Sequence, residues 1–215
     1  MTWRCLRDRK HRYDRHNIHR GFTENVRLAA YRAAAPHAGH AALCDVIRRI
    51  GSRHVASVTS NVDGIAVRAW PGILHAEVHG SIHHWQCTVP CRDDLWPAGE
   101  VAVDAQRFEL TGELPRCPWC GSVARPNILM FCDGTWVPRR TDAQEQSLAS
   151  WFADHPGALA LEIGAGSAIP TIRHLCARAG GAVIRINPDP DEPDEPRATA
   201  TIQLGAAAGL TALIL

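Results

Sequence analysis

The sequence predicts an α/β protein, a parallel sheet interrupted by a small cysteine-bearing module. Three observations carry that expectation. Apolar stripes at helical spacing alternate with short strand-like runs, the pattern of a parallel sheet with crossover helices. Polar residues gather directly after those runs, where open parallel sheets bind ligands. Four of the eight cysteines fall in two close pairs, within a Trp- and Pro-rich stretch from about residue 81 to 126.

A chain of 215 residues holds one main domain with room for such an insertion. Its 46% hydrophobic and 21% charged residues are those of a globular protein. A net charge of +1 gives no bulk electrostatic reason to bind nucleic acid or a membrane surface. No run of eighteen apolar residues occurs, and Met-Thr-Trp-Arg-Cys at the start has no apolar signal core. A cytoplasmic protein without a membrane span is therefore expected. The first 32 residues carry nine arginines and lysines against three acids, a local charge of +6. They read as a solvated basic leader, residues 1–35, ahead of a domain over 36–215. A nucleic-acid-binding arm is the alternative, but no groove-reading motif accompanies the charge.

The elements follow in order. Leu43, Val46, Ile47 and Ile50 form a helical stripe that Gly51 ends. Val55–Val58 reads as a strand leading into Thr59-Ser60-Asn61-Val62-Asp63-Gly64. Beyond the cysteine-bearing stretch, Leu148, Trp151 and Phe152 mark a short helix after Asp142. Leu159–Ile163 is a strand running into Gly164-Ala165-Gly166-Ser167. Pro170 opens a helix whose apolar face holds Ile172, Leu175, Cys176 and Ala179. Ala182–Ile186 is the next strand, ended by Asn187-Pro188-Asp189-Pro190, and the acidic loop through Pro196 is expected at the surface.

Cys87 and Cys91 are spaced C-x3-C, and Cys117 and Cys120 are spaced C-x2-C. Cys117-Pro118-Trp119-Cys120-Gly121 has the tight turn and glycine of a zinc knuckle. Four thiolates satisfy a tetrahedral zinc ion and leave no open position, so the site is expected to be structural. Cys5 and Cys132 lack such pairing, and Cys44 and Cys176 read as core residues on helix faces.

Five segments stand in order around this quartet: Thr59–Gly64, Glu77-Val78-His79-Gly80-Ser81, Arg125-Pro126-Asn127-Ile128-Leu129-Met130-Phe131, Ile163–Ser167 and Ile186-Asn187-Pro188-Asp189. Together they resemble the sirtuin family of NAD-dependent protein deacylases, from about Pro36 to the end. The resemblance implies a Rossmann-like parallel sheet carrying the zinc-ribbon module. It implies transfer of an acyl group from an acyl-lysine protein or peptide to the ADP-ribose of NAD, with release of nicotinamide. In that pattern His79 is the general base, and Asn61 and Asp63 hold the nicotinamide riboside. Gly164, Gly166 and Ser167 form the later glycine-rich turn at the phosphates, and Asn187 meets the adenosine ribose. The substrate is expected as an extended strand beside Phe131, with Asp133 in an acidic role.

Taken singly these residues have plainer readings. Asn-x-Asp-Gly is ordinary turn chemistry, a lone G-x-G is weak, and His79 sits among His75, His83 and His84. The sequence also departs from the family. Nothing in residues 1–58 matches the family's first strand, its Gly-Ala-Gly phosphate loop or its Asp-Phe-Arg segment. In a doubly wound sheet that strand is central, so its absence is expected to leave two strand edges facing a gap. Either the chain is part of a longer enzyme, or it is an inactive fragment whose ribbon binds a protein partner. Ser60, Ala165-Gly166 and Cys132-Asp133 replace the family's Gln, Thr-Ser and Gly-Glu, which affects substrate class more than reaction class.

Overall fold

The computed structural model describes residues 30–104, 106–107 and 109–214. Most of the basic leader, and Cys5 with it, lies outside the described residues. The chain forms two compact units. One, the sheet unit, holds residues 35–60, 65–78 and 143–214; the other, the ribbon unit, holds 30–34, 61–64 and 79–142.

In the sheet unit, α1 (Ala38–Ile50) begins with a histidine capping box. His37 Nδ1 accepts from Gly39 N at 3.0 Å, while His40 Nδ1 accepts from His37 N at 3.3 Å, so two free amides of the first turn are satisfied. After the 3-10 turn Ser52–His54, β1 (Ala56–Thr59) pairs in parallel with β2 (Leu74–Glu77), with the short α2 (Ile65–Ala69) between them in sequence. A second parallel sheet has the order β10-β9-β8, made of β8 (Ala158–Ile163), β9 (Gly180–Ile186) and β10 (Ala200–Ile202). Helix α4 (Thr171–Arg178) is the crossover between β8 and β9.

The parallel α/β architecture is as expected, but it is divided. Among the described residues no strand joins the β1–β2 pair to the β8–β10 sheet. Helix α5 (Ala206–Ile214) closes on β9 and α1. It approaches closely because Gly209 has no side chain: a Cβ there would stand 2.5 Å from Ile186 Cγ2.

The ribbon unit is antiparallel. β3 (Gly80–Cys87) lies between β4 (Trp96–Pro97) and β7 (Ala124–Ile128), and β5 (Val103–Asp104) pairs with β6 (Glu109–Leu110). Ile82, Trp85, Ala98, Ala124 and Ile128 form its core, with Tyr31, Val62 and Met130 packed on it. Gln86 and Asn127 are buried within it and tie it together. Asn127 Nδ2 donates to Gln86 Oε1 at 2.8 Å and to Val137 O at 2.9 Å, and Gln86 Nε2 donates to Thr135 O at 2.8 Å. Buried amides matched in this way cost little and fix one arrangement of the chain.

Several expectations need correction. The helix after Asp142 is not short: α3 runs Arg139–Asp154. Its apolar residues are few, which made it look shorter than it is. Ala179 lies past the end of α4, and the side chain buried deepest on that helix is Arg173. Cys44 and Cys176 are only partly buried; burial pushes the Cys176 thiol up to about 11.

Candidate functional site

In the ribbon unit, His79 occupies the turn entering β3. Its carbonyl accepts from Leu129 N at 2.9 Å, which pins the turn to the end of β7. The next residue, Gly80, has φ +82, and a Cβ there would stand 2.0 Å from the Asn127 carbonyl oxygen. Only glycine lets β3 and β7 close beside the histidine. Partial burial lowers the His79 pKa below its ordinary 6.5. The imidazole is neutral at pH 7, the state a general base requires.

The segment Asn61–Gly64 belongs to the same unit and hangs from β3. Ile82 N donates to Val62 O at 2.9 Å, and His83 Nε2 donates to the Asp63 carbonyl at 2.8 Å. These bonds fix the backbone of Asn61 and Asp63 while leaving the Asn61 side chain at the surface. His83, noted in the sequence only as one of several histidines, is thus a positioning residue for that loop.

Phe131 is exposed, at 77% of its full accessibility. Asp133 is not available in the same way. Its carboxylate meets Arg125 Nη2 at 2.8 Å, accepts from the Thr135 hydroxyl at 3.1 Å, and both Arg125 and Asp133 side chains are buried. Asp133 therefore shapes the Phe131 loop from within. Cys132 between them sits at φ +57, a conformation that favours glycine.

The cysteine quartet assembles as its spacing suggested. Cys87 and Cys120 Sγ atoms are 3.6 Å apart, Cys91 and Cys117 Sγ atoms 3.7 Å apart, and all four lie within 4.8 Å of one another. Zinc–sulfur bonds of about 2.3 Å in a tetrahedron require sulfurs about 3.8 Å apart. The donor set and its spacing fit zinc. Cys117 N donates to Ser122 O at 2.7 Å and Gly121 N to Cys117 O at 3.0 Å, which closes the knuckle. Hydrogen bonds from Ser122 hold the Cys120 thiol down, to about 6.

In the sheet unit, Gly164-Ala165-Gly166-Ser167 follows β8, and Gly164 N donates to Ile186 O at 2.9 Å. The Ser167 N–H, expected to meet a phosphate, donates to the Glu192 carboxylate of the acidic loop. Arg173 Nη2 reaches the same carboxylate oxygen at 3.1 Å, and Ala165 O at 2.9 Å. The Ser167 hydrogen bonds hold the Glu192 carboxyl below the usual carboxylate range. Asn187 Nδ2 lies 3.4 Å from Ala165 O, and its Oδ1 accepts from Asp189 N at 3.0 Å. Beside these residues is a cavity of about 170 Å³, lined in part by Arg185, Asn187, Asp189 and Glu192. It lies at the carboxyl ends of β9 and β10, where parallel sheets bind ligands.

Beneath that turn lies an ion network that sequence reasoning missed. Glu162 is buried at the end of β8, held by Arg185 and lying 3.8 Å from Arg173. Arg185 also pairs with Asp194 and donates to Pro196 O at 2.9 Å. Buried charges of this kind persist only when paired. Arginines at apolar-looking positions of a helix and a strand were the available signal.

The chain's similarities agree with this geometry. A family model described as the Sir2 family matches residues 5–149. An NAD-dependent protein deacylase of Deinococcus radiodurans is 34% identical over 189 residues, covering 85% of this chain and 69% of the relative. One from Thermus thermophilus is 29% identical over 200 residues, covering 87% and 68%. Among solved structures, an ADP-ribose complex of a Sir2 homologue superposes with a TM-score of 0.69 at 22% identity, covering 93% of this chain and 74% of that one. A Sir2 bound to acetylated peptide gives 0.62 at 20% identity, covering 86% and 72%. These two show a shared fold. With the family match over most of its length, a relative 34% identical across most of both chains, and a zinc-type cysteine quartet between its β-strands, the chain belongs to the Sir2 family.

Proposed function

We propose that this chain is an NAD-dependent protein-lysine deacylase that moves an acyl group to ADP-ribose and releases nicotinamide. The observation that carries the reading is His79: a neutral imidazole set by the β3–β7 closure, in one unit with the pinned Asn61–Gly64 loop. NAD supplies a ribosyl carbon activated by its nicotinamide leaving group. His79 takes a proton from a ribose hydroxyl. Asn61 and Asp63 hold the nicotinamide ribose, and the bonds from Ile82 and His83 keep their backbone still. Gly164, Gly166 and Ser167 are assigned to the phosphates, Asn187 to the adenosine ribose, and Phe131 to the peptide. Cys87, Cys91, Cys117 and Cys120 hold one structural zinc. None of the described helices is long and apolar enough to cross a membrane. None of the seven described cysteines forms a disulfide, which suits the reducing cytoplasm.

The test is nicotinamide release from NAD by the purified chain, with and without an acetyl-lysine peptide. Peptide-dependent release is expected, and His79→Ala is expected to lower it by roughly 10²- to 10⁴-fold with zinc content unchanged. Release that survives in His79→Ala removes the base assignment. A second reading, an inactive member that binds proteins through its ribbon, is favoured by Glu192 already holding the Ser167 amide. Absence of release from the zinc-loaded protein supports that reading instead.

A further inference from the structure

Away from all these residues, the sheet unit brings two imidazoles together. His54 ends the 3-10 turn before β1, and His155 follows α3. His54 Nδ1 and His155 Nε2 are 3.1 Å apart, with the rings edge to face. His155 is held from two sides. Its Nδ1 lies 2.9 Å from the Trp151 carbonyl, and its ring stacks on Trp151 with centroids 4.2 Å apart. Trp151 is itself anchored, donating from Nε1 to Arg53 O at 3.0 Å.

A carbonyl can only accept, so His155 carries its ring proton on Nδ1 and presents the Nε2 lone pair to His54 Nδ1. A ring N–H tied to a backbone carbonyl, leaving the other nitrogen fixed as an acceptor, here of the His54 Nδ1 proton, is the arrangement of a metal-ligating histidine. With metal–nitrogen bonds of about 2.1 Å, two nitrogens 3.1 Å apart subtend roughly 95° at an ion, the angle between neighbouring ligands. By contrast, the Nδ1 atoms of His37 and His40 accept from backbone amides in the α1 cap.

We propose that His54 and His155 form a binding site for a divalent transition-metal ion of the nickel, copper and zinc class, separate from the cysteine quartet, with water completing the coordination. The ion replaces the hydrogen bond between the two nitrogens, lying to one side of the line that joins them. The Nδ1 proton of His54 moves to Nε2 of the same ring, so both ligands stay neutral and no net proton is released. His54 Nε2 now accepts from Arg53 Nε at 2.8 Å. The protonated Nε2 cannot accept, so Arg53 has to turn away, and Arg53 is a competitor of the ion.

The experiment uses the 215-residue chain with its quartet already filled with zinc, titrated with Ni²⁺ and followed by calorimetry and tryptophan fluorescence. One saturable equivalent is expected, with quenching because Trp151 stacks on a ligand. His155→Ala and His54→Ala are each expected to weaken binding by at least about tenfold, with zinc content and circular dichroism unchanged. Arg53→Ala is expected to tighten it. Trp151→Phe is expected to keep a calorimetric signal while losing most of the quenching. Equal Ni²⁺ affinity in wild type and His155→Ala overturns the proposal, as does the absence of a saturable equivalent in the wild type.

Discussion

The ribbon and the β8 turn treat their polar groups in opposite ways. In the ribbon, four thiols converge at a spacing that suits a metal ion. At the turn, the chain supplies its own partners: Glu192 holds the Ser167 amide, and Glu162, Arg173, Arg185 and Asp194 neutralise one another. The first region is arranged to receive a ligand, whereas the second is already satisfied and has to give something up before a ligand can bind.

The sharpest way to break this contrast is at the metal. Cys117→Ser is expected to abolish stoichiometric zinc and unfold the ribbon, because structural zinc in small modules contributes on the order of 10 kcal/mol to folding. Metal analysis and circular dichroism check it, and retained zinc sinks the ligand assignment. Gly80→Ala comes next. A β-carbon 2.0 Å from a backbone oxygen at φ +82 should cost about 2 kcal/mol or more, read as a lower urea midpoint.

A smaller effect is expected from acid. Burial, with Arg140 and His83 nearby, lowers the His84 pKa to about 4, against 6.5 for a free side chain. The folded protein therefore resists protonation that the unfolded chain accepts. The His84 contribution is whole above pH 6.5 and drains away as pH falls toward about 4. His84→Gln should flatten the fall of melting temperature between those values. Smallest of all, Glu192→Gln removes the charge that competes for the turn amide. ADP-ribose binding by calorimetry should tighten by roughly three- to tenfold. Weaker binding would mean that Glu192 serves the ligand rather than excluding it.

How legible each part was in the sequence follows from the range of the signals. The quartet, the α1 stripe and the β8 and β9 runs are encoded locally, by spacing and periodicity, and the structure shows all of them. β3 was not legible as a strand. Gly-Ser-Ile-His-His-Trp-Gln-Cys has no alternation, because the strand buries residues such as Ser81, Ile82, Gln86 and Cys87 at both of its ends. That Asp133 is committed to an ion pair was not visible, because its partner Arg125 lies eight residues back, across the end of β7. Asn127 was visible only as part of a motif, and its partner Gln86 is forty-one residues away. Such pairings exist only once the ladder has formed.

β3 gives the molecule a further property. One strand has the metal ligand Cys87 at its end, His79 just before its start, and the hooks for Asn61–Gly64 between them. The span is roughly 25 Å of extended backbone. One continuous backbone thus sets the spacing between the cysteine corner and the His79 turn, as a beam sets the distance between its two supports.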